Sequence, residues 1–122
     1  MTLKAEYKNH TQELILKVNK KDGAIIVHWE GKSTEESPDD FLNPIFKEIF
    51  SHEQTPVIMN FTRLQYMNSR TITPLVCILE KIENSTGSVI FQYIASAKWQ
   101  KLIFDALRLF ETKDNRIQII GL

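Results

Sequence analysis

The order in which apolar runs and helical stretches alternate constrains this chain more than any other feature. Runs rich in β-branched and aromatic residues at 24–30 (AIIVHWE), 56–61 (PVIMNF), 88–95 (SVIFQYIA) and 116–122 are separated by three stretches of helical periodicity. Strands separated by single helices pair in parallel through right-handed crossovers. A further run at 13–18 joins the 24–30 run through Asn19-Lys20-Lys21-Asp22-Gly23, where Gly23 can take a positive φ, so these two form an antiparallel hairpin. The expectation is an α/β fold in the order β-β-α-β-α-β-α-β. It is a mixed five-stranded sheet, an N-terminal hairpin followed by parallel strands, with three main helices. The 56–61 run lacks alternation, which predicts burial on both faces at the centre of the sheet.

Ser37-Pro38-Asp39-Asp40 announces the first helix: a capping hydroxyl, proline at the first position, and two carboxylates at the positive end of the dipole. Phe41, Leu42, Ile45, Phe46, Ile49 and Phe50 form its apolar stripe, and Pro44 within it predicts a kink or a displaced start. The second helix runs to about Asn84 with Ile72, Leu75, Val76, Leu79 and Ile82 on one side. Either Asn68 or Ser69 caps it, or Thr73 does with Pro74 as first residue. Ser96 is expected to cap the third helix, where Trp99, Leu102, Ile103, Ala106, Leu107 and Phe110 share one face. Lys98, Lys101, Asp105 and Arg108 occupy the other.

The 122 residues make one domain, 1–122, without linker, repeat or low-complexity segment. A chain of this size buries roughly two-thirds of its unfolded surface and needs no disulfide or metal. The 15 Lys and Arg balance the 15 Asp and Glu, which argues against nucleic-acid binding, since that needs surplus cations to displace counterions. The single Cys77 cannot form an internal disulfide and is expected as a packing residue. No apolar run approaches the ~18 residues of a membrane span, and the opening MTLKAEYKNH has no apolar h-region. The chain reads as cytoplasmic and not membrane-bound. His10, His28 and His52 have no metal-site spacing, and neither a Gly-rich phosphate cradle nor a G-x-S-x-G elbow is present. Asn60, near the end of the central strand, is an amide where a receiver domain needs a phosphoacceptor aspartate. The reading is a protein without catalytic residues, metal or cofactor.

Sites in α/β proteins lie beyond the C-terminal ends of the parallel strands, which here gathers residues 31–37, 62–69 and 96–98 on one rim. Glu35, Glu36, Asp39 and Asp40 cluster there against Lys32, a charge pattern that a solvated helix start also explains. Ser69 has two readings. It caps a helix, or it accepts a phosphate that would meet free backbone N–H groups, the helix dipole and the guanidinium of Arg70.

The segment VIMNFTRLQYMNSRTITPLVCILEKI resembles the signature of STAS-domain anti-sigma-factor antagonists: a strand, a short loop, aromatic-Met-Asp-Ser, then a helix. AIIVHWEGKS is similar to their second strand and its following Gly, and SAKWQKLIFDALRLFE to their last helix, so the resemblance covers about residues 24–121. Asn68 stands where Asp is usual, Arg70 where a small Ser or Thr is, and Thr71 where Gly is. The SiaC-type STAS-like regulators are the nearer comparison, having aromatic-x-Asn followed by a hydroxyl residue and a Gly-Lys/Arg-Ser stretch before the first helix. The resemblance implies a non-catalytic signalling regulator switched by reversible phosphorylation at Ser69, with Thr71 the secondary acceptor. Its implied partners are a serine protein kinase, a metal-dependent protein phosphatase, and an effector such as a diguanylate cyclase or an anti-sigma factor. The partner-binding rim would comprise Arg63, Tyr66, Met67, Asn68, Arg70, Glu35, Glu36, Asp39 and Lys98. Two other readings stand beside it. One is a constitutive interaction or scaffold module. The other is a small enzyme on the same rim, for which no nucleophile has a sequence-evident base.

Overall fold

A computed structural model of the chain describes residues 3–52 and 54–122; Met1 and Thr2, where the N-terminal stretch begins, and Glu53 lie outside them. The elements are β1 (Glu6–Lys8), β2 (Leu14–Lys21), β3 (Ala24–Ser33), α1 (Pro38–Ile49), β4 (Val57–Met67), α2 (Ser69–Glu83), β5 (Val89–Tyr93), α3 (Lys98–Leu107) and β6 (Ile117–Gly121). A 3-10 turn over Arg108–Phe110 extends α3. The strands lie in the order β1-β2-β3-β4-β5-β6, the first three antiparallel and the last four parallel. The α/β class is as expected, but the sheet has six strands and not five. Three residues are too few for strand alternation to register, so β1 was hidden in what reads as a tail. Pairing to β2 and the hydrogen bond from the Tyr7 hydroxyl to Glu48 Oε2 (3.2 Å) hold it.

Asp22 (φ 53°) and Gly23 (φ 78°) turn the hairpin in two residues between the paired Lys21 and Ala24. Positive φ at both central positions suits the right-handed twist of the flanking strands. Because β3 to β6 are laid down monotonically, right-handed crossovers place every helix on the same side of the sheet. That side is the core, where Val27, Met59, Phe91 and Ile119 form one buried row across the register, and Ile25, Val57, Val89 and Ile117 another. The alternate rows Ile26-Ile58-Ile90 and His28-Asn60-Gln92 remain half-exposed. The expectation that the 56–61 run is buried on both faces is therefore wrong: monotonic order leaves the second face without a helix layer. Trp29, Phe61, Phe91, Tyr93 and Phe104 meet in an aromatic cluster, with Phe61 to Phe104 at 4.7 Å and Tyr93 stacked on Phe104 at 5.3 Å.

The helix ends depart from expectation in detail. Pro38 does begin α1, so Pro44 does not displace the start, but the Ser37 side chain makes no capping bond. Asn68, and not Ser69 or Thr73, caps α2. Ala97, not Ser96, occupies the cap of α3, again with no side-chain bond. Cys77 is exposed and does not pack in the core. The largest departure is the rotation of α3, whose buried residues are Gln100, Phe104 and Leu107, while Leu102 faces solvent. The Gln100 side chain accepts from the Ile94 N–H (2.7 Å) and donates to the carbonyls of Phe61 (2.8 Å) and Leu64 (3.1 Å). Three bonds to backbone groups outweigh the burial of one more aliphatic side chain.

Candidate functional site

Strands β3 and β4 both run further than their apolar runs suggest and deliver the site side by side. Ser33 pairs with Met67 at their ends, so residues 62–67, expected as loop, are strand. Irregular pairing between His28 and Glu30 and between Gly31 and Lys32 lets the strands bend here. Gly31 is required at this bend: its φ is +89° and a Cβ would collide with the Glu13 carbonyl oxygen.

Asn68 organises the junction. Its backbone N–H donates to the Ser33 carbonyl (3.0 Å) and its Nδ2 donates to the Glu35 carbonyl (2.9 Å). Its Oδ1 accepts from both the Thr71 N–H (3.1 Å) and the Thr71 hydroxyl (2.9 Å). Since Thr71 gives its proton to Asn68, the Ser33 hydroxyl donates to Thr71 Oγ1 across 2.7 Å in a buried pair. Arg70 Nη1 donates to the Glu36 carbonyl (3.1 Å). The loop after β3 is thereby tied to the start of α2 by two side chains, Asn68 and Arg70. A carboxylate at 68 could cap α2 but could not donate to Glu35, which accounts for the amide at that position. Thr71, absent from the antagonist pattern, fills a buried site that glycine would leave without its hydroxyl.

Ser69 is exposed as the first residue of α2, and among the described residues its hydroxyl makes no hydrogen bond. Ser69 and Arg70 stand at the end of the helix where backbone N–H groups lack intrahelical acceptors. Of the other residues expected in the site, Tyr66 is 48% exposed, and Glu36, Asp39 and Arg70 are also exposed. Three residues expected in the site are placed otherwise. Met67 is buried in the core and cannot contribute to a contact surface, and Thr71 is fully buried, so its hydroxyl is not accessible as an acceptor. Arg63 pairs with Glu30 (3.1 Å), which also binds Lys17 (3.2 Å). Partial burial raises the Glu30 pKa, but hydrogen bonds from Lys17 and Arg63 outweigh it and hold the carboxyl below its usual range. Lys98 is exposed in the first turn of α3. Glu35 is half-buried, and one of its carboxylate oxygens, Oε1, is buried with no hydrogen-bond partner among the described residues. It lines a shallow depression of about 570 Å³ with His10, Thr11, Glu36, Asp40 and Phe41.

Two residues that organise the rim, Ser33 and Gln100, carry no signal in the sequence. A serine at a strand end and a glutamine on an amphipathic helix read as surface. No described helix is long and apolar enough to cross a membrane. No family model and no curated protein matches the chain. Among solved structures it is similar to the crystal structure of an anti-sigma factor antagonist from Mycobacterium paratuberculosis, with a TM-score of 0.61. The two are 14% identical, and the match covers 84% of this chain and 83% of that one. The chain thus has the fold of that antagonist, the STAS-like fold its sequence led us to expect.

Proposed function

We propose that this chain is a non-catalytic, cytoplasmic partner-switching regulator controlled by reversible phosphorylation of Ser69. The observation that carries the reading is the division of labour at the start of α2: Asn68 makes the capping bonds and leaves the Ser69 hydroxyl exposed and unengaged. A serine needed as a cap would be withdrawn from a kinase.

A phosphate on Ser69 adds about 1.5–2 negative charges at the positive end of a helix beside Arg70. Glu36 and Asp39 repel it, so the charge pattern of the rim inverts locally. A docking penalty of about 3 kcal/mol would weaken a partner roughly 150-fold, enough to exchange one partner for another. The acting partners in this reading are a serine protein kinase and a metal-dependent phosphatase. The effector is an anti-sigma factor or a diguanylate cyclase, met through Tyr66, Arg70, Glu36 and Asp39.

Phosphosite mass spectrometry on protein isolated from its native cell, with co-purifying proteins identified, tests this. Phosphate on Ser69 together with a kinase or phosphatase is expected. Ser69→Ala should fold normally and stay locked with one partner. An unmodified Ser69 with one persistent partner would replace the switch by a constitutive interaction module.

A further inference from the structure

Helices α1 and α2 pack side by side, and each connects two neighbouring parallel strands, so their last turns lie at the same end of the sheet. Between them runs a groove of about 870 Å³ whose floor is Phe46, Phe50 and Ile78. Phe46 and Ile78 are 1% and 7% exposed, so the floor is closed and the groove lies open to solvent along its length. Pro44 and Pro74, one inside each helix, line its walls. A proline ring has no rotamer freedom to lose, so a partner meets walls that are already rigid. From Asn43 to Phe50 the groove follows α1 for two turns, about 10 Å.

We propose that this groove receives an acidic amphipathic helix of a partner protein. Lys47 and Lys81 line it from opposite helices, both exposed, and neither makes an ion pair or a side-chain hydrogen bond among the described residues. No Asp or Glu stands three or four residues from either one. One lysine in a last turn serves a helix dipole, but two lining one groove repel each other until a shared anion lies between them. Shape selects a helix over a small anion. An open groove cannot enclose a small ligand on most sides, whereas a helix covers it, and anchors at i, i+4 and i+7 span the same two turns. Direction follows from charge as well. An acidic first turn at the lysine end suits the partner helix's own dipole and sets it antiparallel to α1 and α2. Its last turn then meets the end where Glu36, Asp39 and Asp40 outnumber Arg70. The surface does not depend on modification of Ser69, so the groove and the switch can fail separately.

Cys77, the single thiol of the chain, is exposed and lines the groove, so a small thiol-reactive diazirine labels this surface alone. The labelled full chain is irradiated in lysate of its native cell, and the crosslinked peptides are sequenced by mass spectrometry. Capture by itself decides nothing; the captured segment does. It should carry apolar residues at i, i+4 and i+7, with Asp or Glu beside its N-terminal anchor. The same segment, made as a peptide, should bind the unlabelled chain in fluorescence anisotropy. Lys47→Glu/Lys81→Glu should weaken that binding at least about tenfold, with unchanged far-UV circular dichroism and melting temperature. Should the double variant fail to fold, Lys81→Gln gives the same reading at a smaller loss. No crosslinked segment, a segment without that pattern, or binding that these substitutions leave intact overturns the proposal.

Discussion

Asn68 is bonded through both ends of its side-chain amide, and that makes it the residue on which the rim depends. Oδ1 caps α2 through Thr71, and Nδ2 holds the Glu35 carbonyl. Asn68→Asp keeps the first and replaces the second by a carboxylate facing a carbonyl. The loss of one partly buried bond should cost about 1–3 kcal/mol. Thermal unfolding should show the loss as a drop of several degrees, and an equally stable Asn68→Asp protein would mean that the Glu35 contact contributes nothing. Ser69 next to it makes no side-chain hydrogen bond among the described residues, so Ser69→Ala should change melting by little. The pair thus separates stability from signalling within two consecutive residues. The sequence placed both at a loop-to-helix junction, but it left Asn68, Ser69 and Thr73 open as caps. Hydrogen bonding to a loop 33 residues earlier in the chain settles which one serves.

Among the elements, β6 faces the hazard of every edge strand, a row of unpaired backbone groups able to recruit another chain. The segment after α3 blunts it. Thr112 Oγ1 accepts from the Ile117 N–H (3.1 Å), and Glu111 Oε2 accepts from the Ile119 N–H (3.2 Å). Glu111→Ala should leave the fold intact but free the edge. Light scattering at high concentration should then rise above that of the wild type. Unchanged scattering would show that the edge needs no cover. The same strand carries Arg116, whose Nη1 donates to the carbonyls of Ile82 (2.6 Å) and Ser85 (2.8 Å) and so closes the C-terminal end of α2. Neither role was legible, because periodicity reports which face of a strand is apolar and not which of its edges is free.

For the molecule as a whole, acid is the condition that exposes its electrostatics, through two surface carboxylates. Asp105 is held at about 2 against an ordinary 3.8 by hydrogen bonds from Lys101, then Tyr93 and Arg108. Asp114 is held at about 2 by Thr112 and then Arg116. A depressed folded-state pKa gives stability that is complete above the unfolded value and lost as pH falls through the folded one. Denaturant unfolding of the wild type and of Asp105→Asn/Asp114→Asn should therefore differ above about pH 4 and converge near pH 2. A difference that persists at pH 2 would point to packing and not charge. At this scale the chain's own letters specify the α/β class, the order of helices and parallel strands, the Asp22-Gly23 hairpin and the junction carrying Ser69. All of these follow from turn chemistry and from periodicities of two and 3.6, which act between near neighbours. What lies across the sheet fixed the remainder: a sixth strand, a β4 that runs on to Met67, an open second sheet face, and an α3 turned so that Gln100 is inside. Each of these depends on which distant backbone groups are left without a partner, and that is known only once the strands have been laid side by side.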